Sequence, residues 1–239
     1  MGLIAKPLGI LLSFIYDLIG NYGISLIIIT VIIKVCLYPA YAKQIKSTMK
    51  MTEVQPKMQE IQQKYAKNKE VMNEKIMELY KEEGVSMYGG CLPMIVQMFI
   101  IMGLFALLRT PMNYISSDTM LFAVHEPFLW ISDLGQPDPW ILPIAAGIAT
   151  FISYYMSQAT GVMPGGTGQQ SALMNKVMKY FFPVMILWMA RSYPAGLALY
   201  WFGSQVIQIF YNIRFSKMRK AMKEEKEAKK TKGKKKARA

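Results

Sequence analysis

The sequence is poor in the residues from which metal centres and disulfide scaffolds are built, with one histidine and two cysteines among 239 residues. Metal sites draw on clusters of Cys, His, Asp and Glu, and neither Cys36 nor Cys91 has such company in sequence. No metal and no cofactor is therefore expected, and both cysteines read as free thiols. His125 stands alone and is given no role. No glycine-rich stretch is followed by the lysine of a phosphate loop, and Gly165-Gly166-Thr167-Gly168 reads as a flexible linker. Nothing in the chain requires nucleotide hydrolysis, and it is not expected to be an enzyme. Acidic residues are scarce, 15 against 28 lysines and arginines, which leaves a net charge of +13.

What is abundant is apolar surface, at 53% of residues, and it is kept apart from the charge. Gly23 to Tyr41 and Trp140 to Tyr155 carry almost none, while Lys43 to Tyr88 and Arg214 to Ala239 are crowded with it. Runs near 20 residues suffice to cross a hydrocarbon core of about 30 Å. The pattern predicts an all-α polytopic membrane protein with five transmembrane helices, at about 22–42, 90–109, 139–158, 177–192 and 195–214. Arg191-Ser192-Tyr193-Pro194 reads as the tight turn between the last two. Residues 1–20 are apolar but interrupted by Pro7 and Asp17 and lack a small-residue cleavage site, so they read as an interfacial helix. The expected organisation is thus 1–20, a five-helix core over 21–215 with a cytoplasmic helical hairpin at 43–88, and a basic tail over 216–239.

Orientation follows from the basic residues, which gather on the cytoplasmic side. Of the 28, 24 fall in the 43–88 segment, the linker bearing Lys176 and Lys179, and the tail; Lys6, Arg109 and Arg191 lie on the other side. With five spans this puts the N-terminus outside and the C-terminus in the cytoplasm of a plasma-membrane protein. The 110–138 loop, outside, is acidic and rich in interfacial aromatics. In the hairpin, Val54, Met58, Ile61 and Tyr65 form one helical stripe and Ile76, Leu79 and Tyr80 belong to a second, with a break at Lys67-Asn68-Lys69 and a stop at Gly84.

Polar residues inside the spans carry the functional argument. A lysine at a span centre costs about 2.5 to 3.5 kcal/mol, so Lys34 is a candidate site residue. It lies seven residues before Tyr41, or roughly 10 Å deep, which is also the limit of snorkelling. Gln97 sits at similar depth in the second span. Trp201, Gln205, Gln208 and Asn212 follow at spacings of four, three and four, so they share one helical face. Three spans offering polar groups to one layer fit a hydrated cavity open to the cytoplasm; polar residues that glue helices together would give a similar pattern.

Five motifs, in order, resemble the YidC family of insertases: Thr30-Val-Ile-Ile-Lys34-Val-Cys-Leu-Tyr-Pro39, Gln55-Pro56-Lys57-Met58, Gly89-Gly90-Cys91-Leu-Pro93 with Gln97-Met98, Asp138-Pro139-Trp140-Ile-Leu-Pro143, and Tyr193-Pro194-Ala-Gly-Leu-Ala-Leu-Tyr-Trp201. The resemblance runs from about residue 10 to 215. It implies a hydrophilic groove, closed to the outside and open to cytoplasm and lipid, through which newly synthesised membrane protein clients enter the bilayer, with the ribosome and the Sec translocon as partners. There are departures. Lysine stands where the family usually has arginine, which forfeits a bidentate grip on carboxylate. Phe99 replaces a frequent proline, and Ser86-Met87 a frequent Asn-Pro. The absence of a lipoprotein-type cysteine and of a large extracytoplasmic domain resembles the Gram-positive branch. The rival reading is a small ion or solute transporter using Lys34, although no inverted repeat is visible.

Overall fold

The computed structural model describes residues 2–85, 92–114, 118–159 and 176–236. Ser86-Met87, the Gly89-Gly90-Cys91 motif and the glycine linker at 165–168 lie outside them. Among the described residues the protein is all helical, with one isolated bridge between Phe128 and Ile131. The elements are α1 (Gly2–Ile19), α2 (Tyr22–Lys64), α3 (Lys69–Glu82), α4 (Leu92–Arg109), a 3₁₀ turn (Pro111–Asn113), α5 (Asp118–Ala123), α6 (Ile141–Ala159), a π-helical turn (Val177–Phe181) running into α7 (Phe182–Ala190), and α8 (Ala195–Lys236).

The apolar runs become the expected helices, but their ends differ from the sequence reading in an informative way. Helix α2 does not stop at the expected end of the first apolar run, near residue 42. It continues for 43 residues, through Pro39 and Pro56, so that the apolar run and the first arm of the hairpin are one rod. Likewise α8 runs 42 residues from Ala195 into the basic tail. Among the described residues, Tyr22–Met51 is the one stretch both long and apolar enough to cross a bilayer on length and composition, and Gln97–Arg109 and Val177–Ala190 are shorter apolar helices. Helix α6 is diluted by Thr150, Ser153, Tyr154, Tyr155 and Ser157, which lowers its hydropathy without breaking the helix.

Helix α6 lies against α7 and α8, α8 against α2, and α1 against α4 and α2. The main core is built where α1, α2, α4 and the first turns of α8 meet, with Leu12, Ile15, Tyr22, Leu26, Ile29, Leu104, Leu107 and Tyr200 buried together. Helix α1 is therefore part of that core on one face, while Ile10, Phe14 and Leu18 stay exposed on the other.

The 120–138 segment terminates three helices at one end of the molecule. Backbone N–H groups in the first turn of a helix have no intrahelical acceptor and must find one elsewhere. Tyr22 N–H of α2 donates to Glu126 Oε2 at 2.8 Å, and Leu142 N–H of α6 donates to Asp138 Oδ2 at 2.5 Å. Ala195 and Gly196 of α8 donate to the carbonyls of Gln136 and Leu134 at 2.8 and 2.9 Å. The Tyr16 hydroxyl also donates to Glu126 Oε1, tying α1 to the same carboxylate.

The hairpin closes on a small core of its own, Val54, Met58, Leu79 and Val85. Asn68 caps α3, accepting from Val71 N–H at 3.3 Å. Gly84, at φ +60°, ends the helix, with Val85 N–H returning to the Tyr80 carbonyl at 3.0 Å. That is the Schellman arrangement, in which glycine takes the left-handed residue at no steric cost.

Candidate functional site

Lys34 is buried, 3% exposed, at the meeting of α2, α4 and α8. Its ammonium reaches Gln97 Oε1 on α4 at 3.5 Å and Gln208 Oε1 on α8 at 3.4 Å, and lies 5.4 Å from the centre of the Tyr41 ring. Both oxygen contacts are long for an N–H···O bond, which is usually 2.7 to 3.2 Å. Among the described residues Lys34 makes no ion pair. A buried cation surrounded by two amide oxygens and a ring face holds donor capacity that neutral neighbours leave largely unused.

The neighbours are themselves held in place. The Tyr41 hydroxyl donates to Gln97 Oε1 at 3.1 Å, and Gln97 Nε2 donates to the Tyr200 hydroxyl at 3.0 Å. The Gln97 amide is thereby fixed with its oxygen toward the lysine. The Tyr211 hydroxyl donates to the Lys34 carbonyl at 2.9 Å, fastening α8 to α2 within two turns of Pro39. Below it Tyr38, Tyr41, Tyr211 and Phe215 form an aromatic cluster with ring centres 5.3 to 6.0 Å apart.

The structure divides the six residues singled out from sequence. Lys34, Gln97 and Gln208 converge. Gln208 also donates to Asn212 Oδ1 at 3.4 Å, but Asn212 is fully buried and donates to the Ser153 carbonyl of α6 at 3.0 Å. Trp201 Nε1 donates to Thr150 Oγ1 of α6 at 3.0 Å. Asn212 and Trp201 thus join α8 to α6, which is the gluing role such residues play between apolar helices. Gln205 lies half-buried on the face between them. Tyr41, Tyr200 and Tyr211 were not singled out. Their sequence signal was weak, because tyrosines near span ends read as interfacial anchors, although Tyr41 lies seven residues from Lys34 and so on its face.

Beside this cluster, farther along α4 and α8, an apolar cleft of about 150 Å³ opens between α4, α7 and α8. Ile101, Met102 and Phe105 line it from α4, Ile186 and Met189 from α7, and Leu197 and Trp201 from α8. Trp201 precedes Gln208 by seven residues on α8, so cleft and polar cluster are about 10 Å apart along that helix. At one end Phe105 and Tyr193 meet edge to face at 5.0 Å, with the Arg109 guanidinium 5.6 Å from the Phe105 ring.

Comparison with known proteins places this geometry in a family. Residues 14–224 match the family described as 60Kd inner membrane protein. The membrane protein insertase YidC of Caldanaerobacter subterraneus subsp. tengcongensis is 35% identical over 226 residues, covering 94% of this chain and 100% of that relative. The YidC of Fusobacterium nucleatum is 38% identical over 208 residues, covering 87% of this chain and 92% of its own. That of Geobacter metallireducens is 38% identical over 212 residues but is much longer, the match covering 35% of it. Among solved structures, an active YidC insertase with its first transmembrane domain resolved aligns with a TM-score of 0.59 at 25% identity, covering 87% of this chain and 45% of that one. A match over nearly the whole chain, to relatives of the same length as well as to longer ones, makes this protein a member of the YidC family of membrane protein insertases.

Proposed function

We propose that the Lys34 cluster and the adjoining apolar cleft act as one client path, in which the ammonium receives an acidic group of an inserting segment while the cleft takes its apolar part. The observation that carries this reading is the buried ammonium whose partners, among the described residues, are all neutral. A carboxylate crossing the apolar layer meets a penalty of a few kcal/mol. At an effective dielectric near 20, a carboxylate about 4 Å from the ammonium gains about 4 kcal/mol, comparable to that cost. The contacts of Gln97 and Gln208 to Lys34 are long, so the ammonium can turn from them toward an approaching carboxylate at little cost. The client's apolar segment then leaves the cleft for lipid. No bond is made or broken, and no catalytic chemistry is proposed.

In this reading α2, α4, α6, the Val177–Ala190 segment and the first half of α8 are the five spans, with α1 at the interface, the N-terminus outside and the hairpin and tail in the cytoplasm. The acidic loop that caps α2, α6 and α8 then seals the outer end. The basic continuation of α8 is proposed to meet the ribosome, and the Sec translocon is a further partner. Membership of an insertase family, and a hairpin without an obvious use in transport, favour this reading over a transporter.

The test is replacement of Lys34 by Arg, Ala and Glu in cells depleted of their own insertase, scoring a single-span client with an acidic outer tail. Arg is expected to support insertion, Ala to lower it and Glu to abolish it. Equal insertion by all three would end the proposal.

A further inference from the structure

The walls of the apolar cleft carry a pattern that the polar cluster does not explain. Met102 lines it from α4 and Met189 from α7. Met98 stands one helical turn before Met102, and Met185 one turn before Met189, so each extends the face of its helix on which the lining methionine lies. None of the four is locked into the packed core: Met98 is 49% exposed and the other three are partly buried. Helix α7 packs chiefly against α6, and α4 chiefly against α1, while α8 contributes Leu197 and Trp201 to the same cleft.

The cleft, about 150 Å³, meets a client segment a few side chains at a time, so its walls must fit side chains of different shape in turn. Methionine is suited to yielding. Its unbranched chain turns about three bonds and its polarizable sulfur packs against aliphatic and aromatic groups alike, whereas branched side chains are stiffer at the backbone. An insertase must accept apolar segments whose side-chain shapes differ from one client to the next, and a repacking surface achieves this without a sequence-specific pocket.

Resting on the reading of the cleft as client path, we propose that Met98, Met102, Met185 and Met189 are specificity-determining residues: an adaptable wall that lets one cleft receive leucine-rich, β-branched and aromatic client segments. The exchange of Met for Leu keeps volume and apolarity and removes adaptability. It therefore separates shape adaptation from simple hydrophobic contact.

The experiment uses full-length protein in liposomes and three single-span clients identical except for an apolar segment rich in Leu, in Val and Ile, or in Phe. The variant Met98→Leu/Met102→Leu/Met185→Leu/Met189→Leu is expected to insert the Leu-rich client as the parent does and to lose about threefold or more on the other two. Insertion of all three at the parent's rate overturns the proposal. Should the fourfold variant lose every client, the pair Met102→Leu/Met189→Leu is judged by the same criterion. A second arm replaces Ile101 by Cys, with Cys36 and Cys91 changed to Ser, and looks for a disulfide to a single cysteine in the middle of the client segment. Cross-linking is expected with all three clients. Cross-linking combined with an unchanged insertion pattern overturns the methionine proposal alone, and no cross-link with any client overturns the client path as well.

Discussion

Tyr41 holds Lys34 by two different parts of one side chain, the ring facing the ammonium and the hydroxyl orienting Gln97. The two can be separated. Tyr41→Phe keeps the ring and leaves Gln97 held by Tyr200 without the Tyr41 bond, and insertion of an acidic client is expected to fall modestly, while Tyr41→Ala removes ring and hydroxyl and is expected to approach Lys34→Ala; equal loss from Phe and Ala would place the effect in the hydroxyl. The Glu126 carboxylate is the second residue on which much depends, since it accepts from both the Tyr16 hydroxyl and the Tyr22 amide. Glu126→Ala leaves both donors without that partner, and a loss of about 1 to 3 kcal/mol is expected, read as a lower unfolding temperature in detergent. The hydrogen bond to Glu126, then burial, then the charges of Glu126 and Asp17 push the Tyr16 phenol from 10.0 up to about 12. A raised folded-state value means that this contribution is complete below pH 10 and is lost as pH climbs toward 12. Tyr16→Phe should therefore flatten the alkaline part of the unfolding-temperature profile, and an unaltered profile would assign that slope to other groups.

Among the elements, the hairpin is the part that the sequence described best and the long helices the part it described least. Asn68 and Gly84 are local devices: a cap and a left-handed stop act within three or four residues, so their spacing is visible in a linear chain. Gly84→Ala is expected to destabilise the hairpin by about 1 kcal/mol, measured as faster proteolysis between residues 65 and 85, and an unchanged cleavage rate would mean that Gly84 can leave the left-handed region. That Lys34, Gln97 and Gln208 could meet in one layer was also legible, because a helix has a fixed rise per residue. What could not be read was whatever joins distant parts. Glu126 meets Tyr16 across 110 residues, and Tyr211 meets the Lys34 carbonyl across 177. Pro39 and Pro56 favour a break in α2, since each removes an amide donor, yet the helix is continuous. Around Pro39 that continuity is supported by tertiary partners, the Tyr211 hydroxyl and the Tyr38–Tyr211–Phe215 rings, which no local pattern announces. Likewise Trp201 and Asn212 shared a face with Gln208, and only the position of α6 showed that both also join helices, Trp201 while lining the cleft.

At the scale of the molecule, two helices leave the Lys34 cluster and continue without interruption, α2 into the hairpin and α8 into the basic tail. If the tail meets the ribosome, removing residues 220–239 should weaken co-sedimentation with ribosomes, and the lost component should be the salt-sensitive one; a signal insensitive to both truncation and salt would exclude the tail as that contact. An unbroken α-helix also carries torsion. Each residue added to it turns everything beyond by about 100° and advances it by 1.5 Å, whereas seven residues restore the azimuth to within about 20°. One alanine inserted after Met218 should thus present the wrong face of the tail to a docked partner while leaving Lys34, Gln97 and Gln208 untouched, and a seven-residue insertion should recover the phase at greater reach. If the tail docks as proposed, its partner and the Lys34 cluster are set like two hands on one shaft, and the angle between them is written in the residue count of α8.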